Sequence, residues 1–265
     1  MTGPQTFSEA DAYERFMGRW SRRLAPLLVT FASVEARDSV LDMGSGTGAL
    51  AGAIALAFPA ARVTGIDPSP VYVQHAQART PSDRVRFFVG DARLRQTSDS
   101  VFDKALSLLA MNFIPDPAQA VREMTRVTHP GGIVAAAVWD YDAGMEMLRV
   151  FWDEAVAGDP ALFAQDERNM PLCRRGELAE LWRASGLQDV KEQPLTIELA
   201  FGSFDDYWLP FLAGQGPAGA HVASLSTAAR SALESRLRGR LLGERRDGPF
   251  ALQARAWAVK GVGRR

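Results

Sequence analysis

The chain of 265 residues contains one cysteine (Cys173), three histidines and three lysines (Lys104, Lys191 and Lys260). A lone cysteine excludes an intrachain disulfide and leads to the expectation of a reducing compartment. No Cys/His/Asp cluster has the spacing of metal ligands, so no metal is expected. Excess charge is lacking too. The 30 basic and 31 acidic residues leave a formal net charge of −1, which directs the chain to neither nucleic acid nor an anionic membrane. Nearly all of the basic residues are arginines, a skew that fits a GC-rich genome and carries no functional inference.

Long apolar runs are also missing. The run 133–139 is far shorter than the roughly 20 residues of a membrane span. Residues 1–14 are polar and acidic, without the basic and apolar regions of a secretory leader. A cytoplasmic protein with no membrane partner is expected. What is present is ordinary: 47% hydrophobic and 23% charged residues, at a length suited to one α/β domain with elaborations.

From about residue 39 to 139, apolar strand-like runs alternate with helix-period segments, the pattern of βαβ units around a parallel sheet. Strands are expected at 39–43, 62–67, 84–90, 102–108 and 133–139, apolar on both faces as in a sheet between two helix layers. Helices are expected near 48–58, 70–79 and 117–128. The remainder reads as a helix at 143–158, a helix near 175–185, a strand at 187–200, a helical stretch at 204–242 broken at 214–217, and a strand at 250–262. An amphipathic segment at 10–31 precedes the first strand. Inserts of this length in an α/β domain are commonly covers over a site.

The segment VLDMGSGTGALA, residues 40–51, follows a strand and opens a helix. Gly44, Gly46 and Gly48 permit a tight turn and close approach of a ligand. Gly44, Gly46 and Ala49 also satisfy the dinucleotide pattern G-x-G-x-x-G/A, with Asp67 near the distance of a ribose-binding acid. The loop alone therefore leaves a nicotinamide oxidoreductase and a methyltransferase both open. Four features separate them. Asp42, immediately before the loop, would repel a pyrophosphate but suits ammonium and sulfonium charges. GIDPS, residues 65–69, ends the second strand with Asp67 placed for ribose hydroxyls. GDA, residues 90–92, ends the third with a carboxylate suited to an adenine amino group. After residue 140 no second set of three βα units follows.

In order and spacing, VLDMGSGTGALA, GIDPS, GDA, FDKALSLLAMNFIPD and MTRVTHPGGIVAAAVWD resemble a class I S-adenosylmethionine-dependent methyltransferase of the type 11 family. The resemblance covers residues 10–140, and FALQARAWAVKG resembles the family's last strand. It implies a single Rossmann-like domain over residues 1–265. Its seven-stranded mixed sheet would have the order 3-2-1-4-5-7-6 with strand 7 antiparallel, and a cap helix at 10–31. A helical lid insertion is read at 203–243. The cofactor implied is S-adenosylmethionine. Asp42, Gly44, Ser45, Gly46 and Gly48 would hold its methionine part, Asp67 and Pro68 the ribose, and Asp91 with Ala92 the adenine. Ser107 and Leu108 would line it from the fourth strand. Tyr13 would cover the methionine moiety, and Arg19 would pair with its carboxylate.

Methyl transfer from a sulfonium requires positioning more than a nucleophilic residue. His221, between the lid helices, is the weak candidate for a general base. Tyr207, Trp208 and Phe211, spaced i, i+1 and i+4, are expected to face an acceptor pocket with Asn112 and Phe113, a lining suited to a flat or apolar small molecule. The other classes weighed are an RNA or protein methyltransferase, an NAD(P)-dependent oxidoreductase and a cofactor-binding protein without catalysis. The RNA reading would use residues 230–265, where ten Arg or Lys face Glu234, Glu244 and Asp247. Those arginines are not interleaved with stacking aromatics, so no nucleic-acid partner is expected.

Overall fold

The computed structural model describes residues 9–93 and 98–263. Seven strands form one sheet: β1 (Ser39–Met43), β2 (Arg62–Asp67), β3 (Val85–Val89), β4 (Phe102–Leu108), β5 (Thr128–Trp139), β6 (Gln188–Phe201) and β7 (Phe250–Val262). The sheet order is β3-β2-β1-β4-β5-β7-β6, as the resemblance implied. β1 to β5 pair in parallel, while β7 runs antiparallel to both β5 and β6. The hairpin-like β6–β7 pair thus closes one edge, where a dinucleotide fold would continue with parallel units.

The central strands are apolar on both faces because both faces are covered. Val40, Leu41, Ala105, Leu106 and Ala135 to Ala137 are each at most 1% exposed. α3 (Ala49–Ala57) and α4 (Pro70–Arg79) carry the chain outward from β1 to β3. α5 (Pro117–Val127) carries it the other way, from β4 to β5. Right-handed crossovers in opposite directions place these helices on opposite faces. They also leave the carboxyl ends of β1 and β4, where the winding reverses, open to a ligand.

Two helical additions border that end. The cap runs as α1 (Glu9–Tyr13), a π-helical turn (Glu14–Gly18) and α2 (Arg19–Phe31). Its second part buries Trp20, Leu24, Leu28 and Phe31. The span read as 204–242 is broken twice, not once. It comprises α8 (Phe204–Trp208), a 3-10 segment (Leu209–Ala213), α9 (Gly216–Ser224) and α10 (Thr227–Leu242). The extra break falls at Ser226, whose Oγ accepts from Ala229 N–H and starts a new helix. α6 (Glu146–Gly158) and α7 (Glu177–Ala184) complete the second half. β5 begins earlier than expected, because the segment from Thr128 pairs with Phe102 before an irregularity in the register.

Candidate functional site

A cavity of about 550 Å³ runs across the carboxyl ends of the parallel strands. Its first wall is the turn after β1. Gly44 N–H and Ser45 N–H both donate to the Ile66 carbonyl, at 2.8 and 3.0 Å, which ties the loop to β2. Gly44 sits at φ +73°, and a Cβ there would lie 2.4 Å from Ala110 Cβ. Any side chain is therefore excluded by conformation and by space. Gly46, at φ +51°, has nothing within 4 Å of where its Cβ would point. Gly48 does a different job from the one expected. It turns at φ +86° into α3, and its missing Cβ makes room for Ala76 and Phe87. It packs helix against sheet and is not on the cavity wall.

Three carboxylates follow along the strand ends. Asp42 lines the cavity and is fully buried. Its Oδ2 accepts from Ala51 N–H at 3.2 Å, whereas Oδ1 has no partner. Burial pushes this carboxyl up to about 7, with Asp67 adding and the Ala51 bond opposing. Asp67 is held more firmly. Oδ2 accepts from Gly46 N–H at 2.8 Å and Oδ1 from Ser69 N–H at 2.9 Å. Burial raises its pKa against those two bonds. Asp91, at the end of the row, is clasped by Arg93, whose Nε and Nη2 reach Oδ1 and Oδ2 at 3.0 and 2.6 Å. That pairing pushes Asp91 down to about 2. Pro68, Ala92 and Ser45 complete this side.

Over β4 and β5 the lining turns apolar, with Leu108, Leu109, Phe113, Ile114, Trp139 and Leu148. Leu109 adopts φ +60°, a left-handed conformation rare for a non-glycine residue and frequent at working sites. Tyr13, Phe16 and Met17 of the cap roof the cavity. Tyr13 Oη lies 3.2 Å from Ser21 Oγ, and its ring is tilted against Tyr72. The cap is fastened by Glu14, whose Oε1 accepts from Thr47 Oγ–H and whose Oε2 accepts from Arg79, each at 2.5 Å, and from Arg22.

Several expected residues lie elsewhere. Arg19 turns away from the cavity; its Nη1 reaches Asp206 Oδ1 at 2.6 Å, and its guanidinium stacks over Trp20 and Phe201. Tyr207, Trp208 and Phe211 do not reach the wall either. Phe211 stacks on Phe151, and Tyr207 Oη donates to the Met147 carbonyl at 3.0 Å. Trp208 packs on Phe211. The stripe is the apolar face by which the insertion joins the core, so these aromatics anchor it. Asn112 is buried with Nδ2 facing Met170 Sδ, and Ser107 is buried with Oγ unpartnered. His221 lies edge-on to Phe151 and tilted against Trp152, outside the cavity, with burial lowering its pKa. The insertion reaches the cavity only through Gln215, Gly216 and Pro217.

Other wall residues carry no sequence signature. Tyr141 follows β5, and Glu167 sits in a 3-10 turn (Glu167–Asn169) far along the chain. Neither belongs to a recognisable motif, and only the fold brings them to the strand ends.

A family model described as a methyltransferase domain matches residues 41–136, from β1 into β5. Over 119 residues the chain is 35% identical to 2-methyl-6-phytyl-1,4-hydroquinone methyltransferase of Synechocystis, covering 44% of this chain and 37% of that protein. Over 157 residues it is 31% identical to trans-aconitate 2-methyltransferase of Methylobacterium radiotolerans, covering 57% and 58%. The chain thus spans less than two thirds of these curated relatives. Among solved structures it is similar in fold to phosphoethanolamine N-methyltransferase 2 of Haemonchus contortus, in complex with phosphomonomethylethanolamine and S-adenosylhomocysteine. That likeness has a TM-score of 0.58 at 20% identity, covering 96% of this chain and 56% of that one.

Proposed function

We propose, from the match of residues 41–136 to a methyltransferase domain model, that the chain binds S-adenosylmethionine and catalyses transfer of its methyl group to a small molecule. The observation that carries the reading is Asp42. A fully buried carboxyl on the cavity wall with one unpartnered oxygen, beside a left-handed glycine turn, is suited to receive a cationic or donor group of a ligand. An α-amino group supplies one, and a pyrophosphate would be repelled.

In this reading Asp42 and the turn Gly44–Ser45–Gly46 hold the methionine part, with Tyr13 above it. Asp67 receives the ribose hydroxyls through the lone pairs that Gly46 and Ser69 leave free, beside Pro68. Asp91 and Ala92 receive the adenine, and Leu108 borders the far side. Bound there, S-adenosylmethionine supplies a methyl group on a sulfonium, a leaving group that is already activated. The protein holds the acceptor in line, and Phe16, Met17 and Tyr13 exclude water. Such positioning is worth as much as about 7–11 kcal/mol of a barrier. The cap at 10–31 and the insertion at 203–243 are read as covers of one domain spanning the chain; residues 1–8, 94–97 and 264–265 of that span lie outside the described residues.

The RNA reading gains no support from the basic segment. Arg238 pairs with Asp247 at 3.0 Å and lies over Phe204, while Arg236 reaches Glu154 at 3.9 Å. Those arginines fasten α10 to the body.

Calorimetric titration with S-adenosylhomocysteine, NAD and NADP tests the proposal. Binding of the first alone is expected. Tight NAD binding without S-adenosylhomocysteine binding overturns it.

A further inference from the structure

One carboxylate on the cavity wall has no task in holding the methyl donor. Glu167 is 3% exposed and lines the cavity beside Tyr141, Leu148 and the start of α9. Trp152 Nε1–H donates to its Oε2, and the backbone N–H groups of Glu167 itself and of Ala218, in the first turn of α9, also bond to the carboxyl. These donors fix the carboxyl in place. The charged and titratable groups around it are Arg149 of α6, Asp166 beside it in the chain, and Tyr141. Arg149 is engaged by Asp166 at 2.6 Å, and Asp166 also takes Arg168 Nε at 2.6 Å. Neither arginine forms an ion pair with Glu167.

Topology sets this group apart from the donor's end. Asp91, Asp67 and Asp42 stand at the ends of β3, β2 and β1, whereas Glu167 neighbours Tyr141, which follows β5. With strands about 4.8 Å apart, β2 and β5 are separated by about 14 Å along the sheet edge. Over β4 and β5 the wall is apolar. Among the described residues that line the cavity, Arg93 is the single cation, and it is bound to Asp91 at the opposite end.

A carboxylate acceptor entering the β4–β5 half would therefore meet the like charge of Glu167 and no cationic side chain, a costly arrangement in a desolvated site. A hydroxyl or amine would meet the acceptor oxygen it needs. Resting on the methyl-transfer reading above, we infer that Glu167 receives the O–H or N–H of the acceptor's nucleophilic atom. We infer with it that the acceptor is a hydroxyl compound or an amine and not a carboxylate. The proton passes to a Glu167 oxygen. The acceptor's freed lone pair makes the bond to the methyl carbon, and the carbon–sulfur pair leaves with sulfur, so the sulfonium charge is neutralised as Glu167 gains its proton. Burial pushes the Glu167 carboxyl up to about 7, against bonds from its own backbone N–H and that of Ala218 and against Arg149. That value suits a base working near neutrality.

The test uses three small aromatic probes, phenol, benzylamine and benzoate, titrated calorimetrically into the S-adenosylhomocysteine-loaded chain. At about pH 8, above the Glu167 pKa, phenol and benzylamine bind and benzoate does not. Lowering the pH to about 6 protonates Glu167 and lets benzoate in. Glu167→Gln weakens benzylamine by about tenfold or more, the scale of a hydrogen bond to a charged group. It admits benzoate at the higher pH and leaves S-adenosylhomocysteine affinity unchanged. The wild-type preference needs no variant, so misfolding of E167Q does not blunt the test. Benzoate binding as tightly as phenol at the higher pH overturns the inference. So does refusal of all three probes by a chain that takes up S-adenosylhomocysteine. Failure to bind S-adenosylhomocysteine overturns the methyl-transfer reading itself, and this one with it.

Discussion

Asp42 and Asp67 are both carboxylates at the ends of adjacent strands, yet their surroundings give them opposite sensitivities. Asp67 has both oxygens committed to backbone donors, so its loss is felt first by the ligand it helps to hold. Asp67→Ala should weaken S-adenosylhomocysteine binding by about 1.5–3 kcal/mol, the usual cost of a hydrogen bond to a charged group, as read by calorimetry on folded protein. An unchanged dissociation constant removes it from the site. Asp42 instead affects the ligand-free protein. Its folded pKa, about 7, lies above the ordinary 3.8, so the folded state binds the extra proton. The stability this contributes is complete below about pH 4 and is lost as the pH rises through about 7. The ligand-free protein should therefore weaken between those values in urea titrations. Asp42→Asn, which keeps an acceptor for Ala51 N–H, should flatten that slope and be the more stable of the two at about pH 8. An identical slope for variant and wild type would show that Asp42 is not desolvated. Both residues were legible in the sequence because each ends a strand in a short motif. Glu167 was not: its place on the wall comes from α6 and α9 closing around residue 167.

At the scale of elements, the strands and helices of the first half were readable because a doubly covered parallel sheet leaves continuous apolar runs in the sequence. The insertion was harder. A stripe such as Tyr207, Trp208 and Phe211 records that a helix has an apolar face, but not whether that face meets a cavity or a core. Here it meets the core, and the three are at most 2% exposed. Trp208→Ala should accordingly cost about 3–5 kcal/mol of stability, as large-to-small core changes do. S-adenosylhomocysteine affinity should be unaltered once the protein is folded. A normal melting temperature with impaired acceptor binding would return the stripe to the pocket. Arg19 misled in a similar way. Its sequence position suited a ligand carboxylate, but Asp206 supplied one from the insertion. The pair is partly exposed, so Arg19→Ala and Asp206→Ala should each cost only about 1 kcal/mol or less. The double variant should cost less than the sum of the two single ones, a coupling that a thermodynamic cycle measures.

At the scale of the whole molecule, the sheet order and the antiparallel last strand matched what the resemblance implied, since connection rules leave few ways to wind five parallel strands. The cavity followed, because the reversal between β1 and β4 leaves an opening wherever those strands end. Its closure did not follow from the sheet. The cap crosses the opening, and Glu14 holds it to Thr47 and to Arg79 at once. A molecule seated beneath Tyr13 and Met17 is therefore covered by a fastened segment, and we expect its exit to wait on that segment. The consequence concerns time as well as affinity. In stopped-flow mixing, the observed association rate should level off at high ligand concentration, at the frequency with which the cap opens. Glu14→Gln should raise that ceiling and shorten residence together. Binding that stays linear in concentration would mean that ligand enters without waiting for the cap.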